Sequence, residues 1–284
     1  MKQSDFRHSP MLVRKLISAI VILVPAAAFS QVSGAESQIR SGLMNWAGSG
    51  LIRIKMDGAV SYAGRRDDFR VIYNRSLTYN TNGSLLEQVE ITETKNGQLV
   101  QRIVGDGMTL YSFNVRKNEV ATSTYGKYDA GATDYVSKLN DGVASVVSGQ
   151  ATQLVRIVRD MYHPGGTTFR NWMPGGTWQN LNTVGAHNDP LNPNRRYFVT
   201  PTMSYWLITA GNPMNKSMAF EMDSSSGSQK LGFIYYTETI RIGDDLRWTD
   251  WQLGVETPLA FGKGTFEFVP PANARIIPGP KIAP

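Results

Sequence analysis

The residues best suited to chemistry are few and loosely placed. Of three histidines, His8, His163 and His187, the last two could join Asp189 as nitrogen and oxygen donors to zinc. Without the paired spacing of an HExxH helix they read as surface histidines. A second group, Trp248-Thr249-Asp250-Trp251-Gln252-Leu253-Gly254-Val255-Glu256, sets two tryptophans beside two carboxylates. That is equipment for stacking on sugar rings and for acid/base cleavage of a glycosidic bond. On an alternating strand, however, Trp248, Asp250, Gln252, Gly254 and Glu256 share one face while Trp251 takes the other. Plain packing of a sheet face, with solvated acids beside it, describes the same residues. Cysteine is absent, which removes disulfides, thiolate metal sites, a cysteine nucleophile and a lipid-modified N-terminal cysteine. No GxSxG elbow, GxxxxGK(S/T) phosphate loop or GxGxxG between strand and helix supports serine, nucleotide or nicotinamide chemistry. The expectation is a chain with no catalytic residue, no metal and no cofactor.

The front of the chain is an address. Lys2, Arg7, Arg14 and Lys15 precede the apolar run 16–29, LISAIVILVPAAAF, the two regions of a secretory signal peptide. Small residues offer cleavage before Gln31 (after Ala28 and Ser30) or before Glu36 (after Ser33 and Ala35). The run is short of the roughly 20 apolar residues that span a bilayer and Pro25 interrupts it. The whole chain carries 29 basic and 23 acidic residues, +6. Residues 1–30 hold four of those bases and one acid, so the remainder carries 25 against 22, or +3. Its bases occur at most in pairs, such as Arg65-Arg66 and Arg195-Arg196. That is a solvated surface rather than a phosphate-binding groove, so nucleic acid is not an expected partner.

Beyond the signal the sequence alternates apolar and polar residues between Gly, Asn and Asp, the pattern of an antiparallel sheet with one buried face. Residues 37–47 suggest a short helix with Ile39, Leu43 and Trp46 on one side. Strands are predicted at 52–62, 68–79, 84–95, 98–104, 107–114 and 117–124, with Asn82-Gly83 and Asn96-Gly97 as hairpin turns. Over 133–162, Val136, Leu139, Val143, Val147, Leu154, Val158 and Met161 recur at helical spacing, with a break expected near Gly142 or Gly149. Residues 163–196 read as a long irregular loop, a length that is usually functional. Strands resume at 197–210, 216–223, 229–242, 246–256 and 265–269, followed by a Pro-rich tail that cannot continue a sheet. The predicted organisation is a signal peptide over 1–30, one domain over 31–277 and a tail over 278–284.

Two stretches carry a family resemblance. Ile103-Val104-Gly105-Asp106-Gly107-Met108-Thr109-Leu110-Tyr111-Ser112-Phe113-Asn114, followed by Asn118-Glu119-Val120-Ala121-Thr122, resembles paired strands of the periplasmic lipoprotein-carrier (LolA-like) family, whose relatives include bacterial lipid carriers and envelope-stress sensors. Phe266-Glu267-Phe268-Val269-Pro270-Pro271 and the residues to Ile277 are similar to that family's last strand and its double-proline ending, and Ser217–Ile242 to its long hairpin. The resemblance implies an α+β, mainly β fold: an incomplete antiparallel β-barrel around an apolar cavity, with a helical plug or lid over 133–162. It also implies that Arg65 latches the lid, being the arginine of a motif that runs Arg65, Arg66, Asp67, Asp68, Phe69, Arg70, Val71, with Arg66 at the family's Pro and Val71 at its Trp.

The corresponding function is an exported carrier, periplasmic or secreted, non-enzymatic and soluble once cleaved, that binds acyl chains of lipids or lipoproteins and exchanges them with membrane-protein donors and acceptors. Leu110, Phe113, Trp206, Phe233 and Tyr235 are candidate cavity-lining residues. Two alternatives stay open: an envelope sensor or scaffold on the same fold, contacting a partner through 163–196, and a secreted carbohydrate-active enzyme using Asp250 or Glu256.

Overall fold

The computed structural model describes residues 38–39, 41–42, 45–46, 50–79, 85–124, 142–162, 185–189, 192–199, 203–206, 213–223 and 230–282. The expected signal peptide, the Asn82-Gly83 turn and residues 125–141 and 163–184 lie outside these. Alternation fixes the strands. In β1 (Leu51–Tyr62), Ile52, Ile54 and Met56 are buried, while Arg53, Lys55 and Asp57 between them are not. One face therefore meets a core and the other meets solvent and charge. β2 (Arg65–Tyr79), β3 (Leu85–Lys95), β4 (Gln98–Gly105), β5 (Thr109–Asn114) and β6 (Glu119–Thr124) follow as an antiparallel meander. Tight turns set its register: Ala63-Gly64 has φ of 49° and 74°, and Asn96-Gly97 49° and 79°, the paired positive values of a two-residue hairpin.

The second half supplies β7 (Gly185–Asp189), β8 (Asn192–Val199), β9 (Met203–Trp206), β10 (Pro213–Asp223), β11 (Lys230–Ile242), β12 (Asp245–Glu256) and β13 (Arg275–Pro278). The strands form one sheet in the order β13-β6-β5-β4-β3-β2-β1-β12-β11-β10-β8-β7, with β9 beside β10. β13 and β7 end this path without pairing to each other: the fold is mainly β, an open, incomplete barrel with a small helical part. The two halves meet where β1 pairs β12, so that Ile54 lies opposite Val255 and Met56 opposite Leu253. Gly58 stands between Phe69 and Trp251 in the same ladder. A Cβ on it would come within 2.5 Å of the Phe69 ring and 2.6 Å of Trp251 Cβ, so a glycine is required for the two aromatic side chains to close over this row.

Helical residues cover the inner face. Those described between 38 and 46 bury Ile39 and Trp46, and a short helix over 142–146 buries Val143. The helix α1 (Ala151–Tyr162) buries Leu154, Val155, Ile157 and Val158 and leaves Arg156 exposed. These side chains form one core with Ile52, Ile54, Met56, Val71, Ile91, Ile103, Leu110, Phe220, Ile234, Trp251 and Leu253.

The break expected in the helical segment 133–162 falls at Gly149, which takes φ of 64° and separates 142–146 from α1. Three other expectations need correction. The loop predicted over 163–196 contains β7 and the start of β8. Their residues, GAHND and NPNRR, are polar, and backbone pairing at the sheet's edge forms them without an apolar alternation to betray it. The strand predicted over 197–210 is two strands, β8 ending at Val199 and β9 over Met203–Trp206. The strand predicted over 265–269 is absent. Its alternating Phe266 and Phe268 pack on other aromatic rings rather than in a ladder, and the proline-rich tail that follows does join the sheet, as β13, parallel to β6. Prolines flank or end this strand, and only the edge strand beside it needs pairing.

Candidate functional site

The inner face and the helix on it form the place where an apolar ligand would be held, and two polar groups interrupt that face. The first ties α1 to the sheet. Glu93 and Gln101 are opposite one another on β3 and β4, both nearly buried. The Glu93 carboxylate accepts hydrogen bonds from the Gln150 N–H at 3.1 Å and the Ala151 N–H at 3.2 Å. Those are free donors of the first turn of α1, where a negative charge also suits the helix dipole. Gln101 Nε2 donates to Glu93 Oε2 at 2.6 Å and to the Ser148 carbonyl at 2.5 Å, and its Oε1 accepts from the Ser148 N–H and hydroxyl, each at 3.2 Å. A side chain at Gly149 would collide with the Glu93 carboxylate, 2.7 Å away, so the turn before α1 is shaped around that acid. α1 thus brings no acidic residue in its own first turn and takes its cap from the sheet.

The second polar group comprises Tyr73 and Arg75 on β2 and Glu87 on β3, each at most 1% exposed. Burial pushes the Glu87 carboxyl up to about 7, with the nearby Arg75 guanidinium pulling the other way. Burial likewise raises the Tyr73 hydroxyl above its ordinary range, Glu87 adding to the effect and Arg75 opposing it.

The outer face is built differently. Arg53 Nε donates to Asn74 Oδ1 at 2.8 Å, Asn74 Nδ2 to Glu90 at 2.9 Å, and Arg102 Nε to Glu90 at 2.9 Å, a charged row across β1 to β4. After β12 the chain crosses this face as a strap. Arg53 lies 5.4 Å from the Phe261 ring centre, Arg102 donates to the carbonyls of Thr265 and Glu267, and Phe268 stacks on Tyr111 at 5.2 Å. Val104 and Val120 are wholly buried here, apart from the main core.

Strand register places the candidate residues. Leu110 faces the helix side and is 1% exposed. Phe113 is on the outer face, 6.4 Å from Phe268. Phe233 and Tyr235, 6.1 Å apart, lie opposite Gly254 and Gln252 and alternate with the core residues Ile234 and Tyr236, so they too face outward. Trp206 ends β9 opposite Pro213. The five are therefore not brought together, and Leu110 is the one described on the helix-covered face. Arg65 is exposed at the start of β2, opposite Tyr62 beside the hairpin turn, whereas the sheet's hydrogen bonds described at the start of α1 come from Glu93 and Gln101. His187 and Asp189 lie on β7, and His163 is outside the described residues, among which no group of three metal-binding side chains occurs. As alternation required, Trp251 is inward, stacked 5.0 Å from Tyr236, while Trp248 is exposed. Glu256 is bound by Lys55 at 2.6 Å.

Glu93, Gln101, Arg75 and Glu87 were missed by motif. Parity could have found all four: within the predicted strands, Arg75 shares a face with Val71 and Tyr73, Glu87 and Glu93 share one with Val89 and Ile91, and Gln101 shares one with Ile103.

Among the described residues no helix is long and apolar enough to cross a membrane. No family model matches the chain, and no curated protein does. Among solved structures the chain is similar to one described as lipid-protein interactions in lipovitellin, with 7% identity over 76% of this chain and 26% of that one, at a TM-score of 0.28. It is also similar to a DUF1329 family protein from Desulfovibrio piger, with 6% identity over 83% and 97% and a TM-score of 0.27. The Pseudomonas aeruginosa MucA/MucB complex gives 8% identity over 82% and 96% with a TM-score of 0.13. The chain spans about a quarter of the lipovitellin chain, and scores this low carry no argument about function.

Proposed function

We propose that the protein is an exported, non-enzymatic carrier that holds acyl chains of lipids or lipoproteins against the inner face of its open barrel, with α1 as the lid. The observation that carries this reading is the covering of that face. An apolar surface drawn from strands β1 to β5 and β10 to β12 is roofed by an amphipathic helix. The sheet's hydrogen bonds to that helix, as described, gather at its N-terminal end on Glu93 and Gln101. Such a helix can swing about a polar hinge while its aliphatic side chains are replaced by those of a ligand. Each buried CH2 of an acyl chain contributes about 0.8 kcal/mol, so a twelve-carbon chain gains on the order of 10 kcal/mol before ordering costs. The signal-like N-terminus supports export to the periplasm or beyond, where donor and acceptor membrane proteins would load and unload the carrier.

Mass spectrometry of solvent extracts from protein purified without detergent tests this directly, together with titration of an apolar fluorescent probe. Co-purified lipid, or saturable probe binding reversed by fatty acid, is the expected result. Lipid-free protein that takes up no probe would sink the reading.

A further inference from the structure

Tyr73, Arg75 and Glu87 are out of keeping with the face they occupy. Arg75 lies opposite Ile52 on one side and Val89 on the other. Glu87 is opposite Leu77, one same-face pair further along, so the guanidinium and the carboxyl are diagonal neighbours. The row through Arg75 continues across Val89 and Gly105 to Leu110, and Gly105 adds no side chain to it. The Tyr73 hydroxyl is buried with no hydrogen-bond partner among the described residues. A buried orphan hydroxyl and a buried guanidinium both oppose folding, and apolar side chains of the same size commonly replace such groups without loss. Stability therefore does not account for the buried Tyr73 hydroxyl beside a buried guanidinium, and a ligand that accepts the hydroxyl's hydrogen bond does.

We propose that these three residues form the polar end of the acyl-chain site and take an anionic head group, a carboxylate or a phosphate. Arg75 offers the planar, multiple N–H donors that match either anion. Tyr73 adds an O–H donor that no described residue accepts. Glu87 is readily protonated because burial disfavours its charge, and so turns from a repelling carboxylate into one more donor when an anion arrives. The acyl chain would then run along the row of Val89 and Leu110 beneath α1. This inference rests on the carrier reading and adds the class of ligand to it.

Displacement of the apolar probe from the full, delipidated chain by oleate, oleyl phosphate and oleyl alcohol tests it. The expected result is displacement by the two anions at concentrations about tenfold or more below the alcohol, the effect of charge-assisted hydrogen bonds to one anion. Arg75→Met should bring all three to the alcohol's value. Tyr73→Phe, which keeps the ring and removes only the oxygen, should weaken the anions alone and guards against a misfolded Arg75 variant. Calorimetric titration with inorganic phosphate separates the sources. Absence of binding assigns the site to a lipid head group, and binding lost in Arg75→Met assigns it to the free anion; both uphold an anion site. Equal displacement by all three amphiphiles in the unaltered protein overturns the anion site and leaves the carrier standing. Displacement by none overturns both.

Discussion

The two faces of the sheet are covered by different means. On the inner face α1 lies on aliphatic side chains, and its described polar bonds to the sheet cluster at one end, on Glu93 and Gln101. On the outer face the strap is fastened along its length. Arg102 holds the carbonyls of Thr265 and Glu267, Asn118 Nδ2 donates to the Asn273 carbonyl at 2.8 Å, Arg275 pairs with Glu119, and the Gly279 N–H donates to the Thr122 carbonyl at 2.8 Å. Dispersion and hydrophobic contacts tolerate exchange of one apolar partner for another, whereas directional bonds spaced along a segment must all break before it leaves. The inner cover is suited to release and the outer to permanence.

The largest effects should come from the inner cover. Leu154→Ala removes a fully buried side chain of α1 and should destabilise by about 2–5 kcal/mol, read from denaturant unfolding. It should also leave a cavity that raises affinity for the apolar probe. A loss below about 1 kcal/mol would show that the helix is not well packed on the face and would remove the contrast.

Next is the pH dependence set by Glu87. In the folded protein its carboxyl titrates at about 7, against an ordinary 4.5. Between those values the folded state holds a proton that the unfolded chain has given up, so stability falls as pH rises across the window and levels off above about 7. Its full benefit is present below the ordinary value. The total is on the order of 3 kcal/mol. Melting temperatures of the unaltered chain and Glu87→Gln from pH 4 to 8 check this, and the variant should lose that slope. The same slope in both would place the titrating group elsewhere.

Much of this arrangement was legible in the chain because alternation and turns are local. The six strands from β1 to β6, and β10 to β12, fall within a few residues of where Ile52, Ile54 and Met56, or Trp251 and Leu253, put an apolar residue at every second place. β7 was hidden because Ala186, His187 and Asn188 show no apolar alternation and form a strand by pairing with β8, and β13 because four residues among prolines carry no period. The site was legible in part. The parity that marks Val71 and Ile91 as inward also marks Arg75 and Glu87, but a polar residue on an apolar face is easily passed over when only apolar positions are counted. The cap of α1 could not be read, since Glu93 is remote in sequence and reaches the helix only through the register of β3 on the completed sheet.

A smaller effect tests that cap. Glu93→Gln keeps one acceptor for the N–H groups of Gln150 and Ala151 but loses the charge and the strong bond from Gln101. The expected loss is about 1–3 kcal/mol, concentrated in α1. Amide exchange should quicken at 150–158 while β1 and β2 keep their protection. Uniform acceleration over helix and sheet would mean that the lid does not move as a separate unit.

The smallest effect belongs to the outer cover. Phe268 is half-buried, stacked on Tyr111 and tilted against Phe113, and Val104 and Val120 lie buried on the same face. Phe268→Ala forgoes an aromatic contact worth about 0.5–1.5 kcal/mol beyond its area. The flanking bonds from Arg102 and Asn118 should hold the strap in place, limiting the total loss to about 1–2 kcal/mol. Exchange should quicken in β5, β6 and β13, and probe affinity should not change, because the altered ring faces away from α1. The tail gives this outcome an edge: Ile282, beyond β13, reaches the helical layer, where its Cδ1 would lie 2.7 Å from a Cβ on Gly142. If Phe268→Ala does alter probe affinity, loosening of the strap has passed through Ile282 to the inner cover, and Ile282→Ala alone should reproduce the change without touching the outer aromatic stack.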